Sequence, residues 1–255
     1  MQRLSPIIVG GGPAGAVAAI NLLRSGVQPT LIERQDRTHD ALCGGFLSWR
    51  TLQRLEELGL DSDSLGGQEI TVLRLFTRRS IHQLRLPARA LALSRRRLDS
   101  LLFDRAQQLG ALVRYGDATY ESGRIRLGDG EFLEGDSLFL ATGKHDLRGL
   151  ARPRLAAGED PFLGLRLRLA LSDKLGALLS GHIEMHLFDG GYLGIIMQED
   201  GSANFCMAVR KSRLAAADGQ PATLFAQLAQ DSAYLAERLN GMSASPCIDA
   251  VGRIP

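Results

Sequence analysis

With 255 residues, 45% of them hydrophobic, the chain can bury one large core or two smaller ones. Its formal charge of +2, with 27 scattered arginines among 30 basic residues, implies neither nucleic acid nor an anionic membrane as a partner. Its three cysteines, Cys43, Cys206 and Cys247, are odd in number and far apart, which excludes a disulfide framework and fits a reducing, cytoplasmic setting.

Residues 6–10 (Pro-Ile-Ile-Val-Gly) predict a strand buried on both faces of a parallel sheet. A helix is expected over 13–25, stopped by Gly26, and a second strand over 29–33. The early glycines break the apolar N-terminus, which suits a strand and turn rather than a signal peptide. An amphipathic helix is expected over 48–58, with Leu52, Leu55 and Leu58 on one face, Ser48 as N-cap and Gly59 as stop. Alternation at 70–76 and 81–86 about Thr77-Arg78-Arg79-Ser80 predicts a hairpin. A helix over 95–109, opened by Ser94 and ended by Gly110, precedes a strand at 111–115. A small antiparallel meander over 118–134 and a buried strand at 137–141 follow. Beyond about residue 150 the pattern changes to strands at 162–171 and 182–210, with turns at Asp189-Gly190-Gly191 and Glu199-Asp200-Gly201. A polar-faced helix is expected over 222–239. No apolar run is long enough to span a bilayer, while peripheral membrane contact stays open.

The motif with the most chemistry is Gly10-Gly11-Gly12-Pro13-Ala14-Gly15, set after a strand and before a helix. Gly10 permits a tight turn, Gly12 a close approach to a pyrophosphate, and Gly15 close helix–sheet packing. The helix start, with Pro13 and Ala14, offers unpaired N–H groups and partial positive charge to phosphates. Glu33 ends the second strand where a ribose-hydroxyl acceptor belongs, and its charge disfavours a 2′-phosphate. This predicts a dinucleotide site, open at this point to FAD or NAD.

Four stretches go further. They are the opening Ile7-Ile8-Val9-Gly10-Gly11-Gly12-Pro13-Ala14-Gly15 with Glu33-Arg34, the loop Cys43-Gly44-Gly45, the helix start Arg95 with Leu98-Asp99, and the strand end Leu140-Ala141-Thr142-Gly143. Together they resemble the flavoprotein superfamily of geranylgeranyl reductases and single-component aromatic hydroxylases. That resemblance implies FAD as cofactor, with NAD(P)H as a transient external reductant. It implies that the cysteine–glycine loop lies beside the flavin, and that Arg95 approaches the cofactor. It also implies that Thr142 and Gly143 close the first half of the FAD site, and that the backbone of Ala118 meets the adenine. Asp146 lacks the following glycine of aromatic hydroxylases, and Tyr192 alone remains of the reductases' aromatic strand. Oxygen insertion and double-bond reduction therefore both stay open. The family's C-terminal Gly-Asp segment is expected to be missing, since the chain reads Val251-Gly252-Arg253-Ile254-Pro255 where its strand would be approached.

Alternation puts His182, Glu184 and His186 on one strand face. The set suits a metal by residue type. The expectation is a polar or substrate-facing surface, with Ile183, Met185 and Leu187 packing on the other side. The expected architecture is α/β, a Rossmann-type FAD/NAD(P)-binding domain with a smaller antiparallel-sheet substrate domain. The first takes residues 1–69, 90–150 and 248–255, the second 70–89 and 151–247. The expected activity is that of an FAD-dependent oxidoreductase on an apolar or aromatic small molecule. An NAD-dependent dehydrogenase and a non-catalytic relic are the alternatives.

Overall fold

The computed structural model describes residues 5–36, 39–153, 158–242 and 246–254. In chain order the elements begin with β1 (Ile7–Val9), α1 (Pro13–Arg24), β2 (Thr30–Glu33), β3 (Phe46–Leu47) and α2 (Trp49–Glu57). Next come β4 (Gln68–Phe76), β5 (Ile81–Ala92), α3 (Arg95–Gln108), β6 (Leu112–Tyr115), β7 (Ala118–Glu121), β8 (Arg124–Leu127), β9 (Phe132–Leu133) and β10 (Leu138–Leu140). The remainder comprises β11 (Phe162–Ala170), α4 (Asp173–Leu179), β12 (Gly181–Phe188), β13 (Gly191–Met197), β14 (Ser202–Arg210), α5 (Lys211–Ala215), α6 (Pro221–Asp231), α7 (Ala233–Arg238) and β15 (Ile248–Ile254). No helix among the described residues is long and apolar enough to cross a membrane.

The chain forms two compact units, each assembled from three segments. The first comprises Met1–Asp40, Arg54–Leu65 and Arg96–Leu155. Its centre is a parallel sheet in the order β10-β1-β2-β6. Ile7, Ile8 and Val9 are all buried, as a central strand covered on both faces requires. Pro13 begins α1, where its missing N–H costs nothing, and Gly26 ends that helix region at φ +76°. Ile7, Val9 and Ile32 form one core with Ile125, Leu127 and Leu147, which joins the parallel sheet to the meander β7-β8-β9.

The second unit comprises Ala41–Gln53, Gly66–Arg95 and Ala156–Pro255. Its eight-stranded sheet runs β15-β11-β14-β13-β12-β4-β5-β3, antiparallel except where β12 meets β4. One face presents Leu165, Leu167, Leu193, Ile195, Phe205 and Met207 to apolar residues of α4, α6 and α7. The other face carries Arg166, Arg168, Asn204 and Cys206, followed across the sheet by Ile196 and Ile183.

Several expectations change. Residues 248–254 pair with β11 and so belong to the second sheet, and residues 41–53 also fall in the second unit. The helix expected over 222–239 is two helices, because Ser232 takes extended angles (φ −142°, ψ 112°) and its Oγ accepts the Leu235 N–H at 3.3 Å. Helix α4 has no counterpart in the sequence reading, although Ser172 caps it by accepting the Leu175 N–H at 3.2 Å. Strand β12 is inverted relative to expectation. Glu184 and His186 face the helical layer and are buried, while Leu187 on the opposite face is 42% exposed. The reason is a counter-charge on α7: Arg238 donates through Nε and Nη2 to Glu184, 2.9 Å each.

Candidate cofactor site

In the parallel sheet β1 has its sequence neighbour β2 on one side and the distant β10 on the other. This reversal of strand order opens a crevice beyond the C-terminal ends of β1 and β10, the usual place for a ligand in open α/β sheets. Gly10 follows β1 at φ +107°, and its N–H donates to Ile32 O at 2.8 Å. A Cβ on Gly10 would lie 2.4 Å from Ala141 O, and one on Gly15 would lie 1.8 Å from Gly10 O. These two positions therefore need glycine for backbone approach. A Cβ on Gly12, by contrast, would meet nothing within 4 Å. The loop leaves open space beside Gly12, where no side chain caps α1. The first N–H groups of that helix, including those of Ala14 and Gly15, have no acceptor within it and face an anion-favouring dipole.

Glu33 stands at the end of β2. Its Oε2 accepts the Gly11 N–H at 2.5 Å, and its Oε1 accepts the Gln35 N–H at 3.1 Å. Phe103 on α3 packs under the loop, so that a Cβ on Gly11 would meet its ring at 2.6 Å. Just beyond Glu33, an open depression of about 500 Å³ is lined by Arg34, Gln35, Asp36, Tyr115 and Gly116. On the other side of Gly10, Thr142 Oγ1 donates to His145 O at 2.5 Å, and Gly143 turns at φ +63°. Arg152 Nη2 holds that turn by donating to Gly143 O and His145 O, 2.8 Å each. Ala118 begins β7 and packs against the Ile125–Leu127 core. Space and donors at the phosphate position, a carboxylate at the ribose position and a depression beyond it fit an adenine dinucleotide.

The remaining expected residues lie in the second unit. Arg95 opens α3 and is half-buried. Cys43, Gly44 and Gly45 form a loop pinned to the sheet by side chains that the sequence reading does not single out. Asn204 Nδ2 donates to Cys43 O and Gly44 O, both at 3.0 Å. Arg166 Nη1 donates to Ala41 O at 3.1 Å while its Nε and Nη2 hold Asp249 at 3.0 and 2.6 Å. Gln198, itself held by Arg168 at 2.5 Å, sits against Gly45. The available signal was polar residues (Arg166, Arg168, Asn204) recurring at period 2 in otherwise apolar strands.

Among the described residues no group of three His, Cys, Asp or Glu side chains is placed to hold a metal. Glu184 and His186 instead belong to a buried ion cluster. Glu184 contacts Arg238, Arg74 at 3.4 Å and His186 at 3.2 Å. Burial alone would raise the Glu184 carboxyl, but hydrogen bonds and charge from His186 and Arg238 outweigh it and hold the group at about 2. Burial pushes His186 below its ordinary value, against the opposing pull of Glu184. His186 therefore donates from Nε2 as a neutral ring, stacked on Phe76 at 4.1 Å between centroids.

A parallel sheet with this loop, flanked by a three-stranded meander, defines a dinucleotide-binding flavoprotein fold. The family model described as an FAD binding domain matches residues 3–122, just under half of the chain, and supports FAD as the dinucleotide. A 36-residue stretch, 14% of the chain, is 62% identical to 8% of the hydrogen cyanide synthase subunit HcnB of Pseudomonas protegens. Among solved structures, the peptidyl tryptophan dihydroxylase QhpG is 24% identical at a TM-score of 0.70, covering 98% of this chain and 56% of its own. A flavoprotein/dehydrogenase from Cytophaga hutchinsonii is 19% identical at a TM-score of 0.77, covering 98% of this chain and 66% of its own. At these identities the structural likeness shows the fold. The chain spans between half and two thirds of the length of these two neighbours.

Proposed function

We propose that the chain acts as an FAD-dependent oxidoreductase, a monooxygenase or double-bond reductase, on an apolar or aromatic small molecule, with NAD(P)H as external reductant. The observation that carries this reading is the phosphate loop, where Gly12 leaves space at a bare helix start and Glu33 closes the adjoining strand. Bound FAD supplies a carrier of hydride and, once reduced, a partner for oxygen. The chain's own residues bind and orient it. The N–H groups of Gly12, Ala14 and Gly15 face the pyrophosphate. Glu33 exchanges its Gly11 contact for ribose hydroxyls, and Arg34 borders the adenosine. Gly10, Thr142 and Gly143 shape the crevice; for Cys43, Gly44, Gly45, Arg95 and Ala118 a cofactor contact is what the resemblance alone implies. The half-exposed sheet face with Leu73, Leu75, Ile183, Met185 and Tyr192 supports an apolar substrate, since it offers apolar area and excludes water.

The test is the visible spectrum of the purified chain before and after adding FAD and desalting. A retained flavin band is expected, and a chain that stays colourless overturns the reading. Glu33→Ala removes a charged acceptor from the ribose position and is expected to weaken FAD binding about tenfold or more, measured by fluorescence titration.

A further inference from the structure

We propose that the outer edge of β5 is a docking strand for an extended, acidic segment of another protein. In the second sheet β5 lies between β4 and β3, but β3 pairs with it only at Ala92 and Leu91. The stretch before that pairing, residues 81–85, is exposed at every position. The register fixes which of its backbone groups point outward. The Thr77 N–H donates to Ser80 O at 2.9 Å, so the hairpin turn closes on a hydrogen-bonded pair. In an antiparallel ladder such pairs alternate with pairs whose N–H and C=O groups point away from each other. Leu75 with His82 and Leu73 with Leu84 are then the next bonded pairs. Ile81, Gln83 and Arg85 turn their N–H and C=O groups to the other side, where no strand among the described residues pairs with them. Pro87 has no N–H and ends the run, which limits the docked segment to a short one.

The side chains set the chemistry of the partner. Leu84 is 53% exposed on one face of the sheet and Ile81 44% exposed on the other. Residues 70–92 include five arginines and no acidic residue, a concentration that the formal charge of +2 on the whole chain conceals. Arg74 is engaged by Glu184, and Arg89 lies 3.8 Å from Glu69. Arg78 pairs with Asp189 at 3.0 Å in an exposed bridge. Arg79 and Arg85 are exposed and make no ion pair among the described residues. A strand laid on this edge completes the ladder, covers Ile81 and Leu84 from either side and meets these two cations. Carboxylates alternating with apolar side chains complement it. A second copy paired through the same edge would set its own Arg79 and Arg85 against those of the first, which like charges oppose. A bilayer would leave the outward N–H and C=O groups without partners once they lose water.

The experiment titrates the full chain into a fluorescein-labelled synthetic peptide that alternates valine and glutamate, read by fluorescence polarisation. Saturable binding is expected. Methylating alternate peptide nitrogens removes ladder bonds and keeps the charge, and should weaken binding by about tenfold or more. Replacing each glutamate by lysine should abolish it. Gln83→Pro deletes an outward N–H at an edge position that tolerates proline, and should weaken binding by a similar factor while circular dichroism shows the chain folded. Arg79→Glu combined with Arg85→Glu leaves the backbone intact and should weaken binding as well. A parent chain that does not bind the valine–glutamate peptide overturns the proposal, as does equal affinity for the methylated peptide or unchanged binding in both variants. A parent that sediments as a dimer and becomes a monomer on Gln83→Pro gives the edge to a second copy and overturns the choice of partner. Co-sedimentation with phosphatidylserine vesicles that survives Gln83→Pro, with no binding of the peptide, assigns the hairpin to a membrane surface and overturns it too.

Discussion

Gly15→Ala is expected to abolish FAD retention and to lower the melting temperature, whereas Gly12→Ala is expected to abolish retention alone. The two glycines stand three residues apart in one loop and meet different constraints. A methyl on Gly15 would sit 1.8 Å from Gly10 O and 3.2 Å from the Ala141 Cβ, so α1 must move away from the sheet. Such overpacking costs about 1–3 kcal/mol or more, and the shifted helix start no longer presents its N–H groups to the phosphates. A methyl on Gly12 meets no protein atom within 4 Å, and Gly12 already has φ −66°, which any residue adopts. Its only effect is to fill the space reserved for the pyrophosphate. Thermal melts followed by circular dichroism, together with the flavin-to-protein absorbance ratio after desalting, separate the two. A Gly12→Ala chain that keeps its flavin would show that the pyrophosphate does not lie there.

Glu184→Leu is expected to be the most damaging single change in the second unit. It would leave the buried Arg238 guanidinium, whose side chain is 5% exposed, without the carboxylate that takes two of its N–H groups, would remove the partner of His186 Nε2, and would leave Arg74 only its bond to Leu178 O. Removing one member of a buried pair costs about 3–5 kcal/mol, which in a chain of this size lowers the melting temperature by roughly 10 °C. Acidification acts on the same cluster. Glu184 is held at about 2, below the 4.5 it has when unfolded, so its contribution is complete above 4.5 and is lost as pH falls toward 2. His186 is held below 6.5, so the unfolded chain takes up that proton first and stability also declines as pH drops through 6.5. Both groups act in the same direction. Melting temperatures measured from pH 8 to pH 3 should fall in two stages, and Glu184→Gln should erase the lower stage while keeping the upper. A parent profile that is flat below pH 5 would contradict the assignment.

The first unit was legible because its signals are local. A short apolar strand, a glycine loop and a helix opened by proline lie within 20 residues, and Glu33 ends the next strand. What escaped was determined at long range. The inward turn of Glu184 depends on Arg238, 54 residues later, so period-2 alternation alone picked the apolar side of β12 as the buried one. The break at Ser232 competes with a helical pattern that continues across it, and only backbone angles reveal that Oγ caps a new start. The cysteine–glycine loop was readable as a loop, but its anchor Asn204 looked like any polar residue in a strand. Residues 248–254 read as a strand without showing which sheet they join, and their place beside β11 comes from long-range partners such as Arg166 with Asp249.

The single parallel pairing in the second sheet bears on how the chain must be made. Arg74 and its register partner Glu184 are 110 residues apart, and β3 to β5 reach the sheet's end long before β12 to β15 exist. On a ribosome, β4 and β5 emerge as a lone hairpin with Leu73, Leu75 and Leu84 uncovered and one ladder edge open. Isolated hairpins are marginal in water, and contacts of such high order form slowly. The nascent chain therefore carries an adhesive edge through much of its synthesis, and its yield in cells is governed as much by what shields that edge as by the stability of the finished protein.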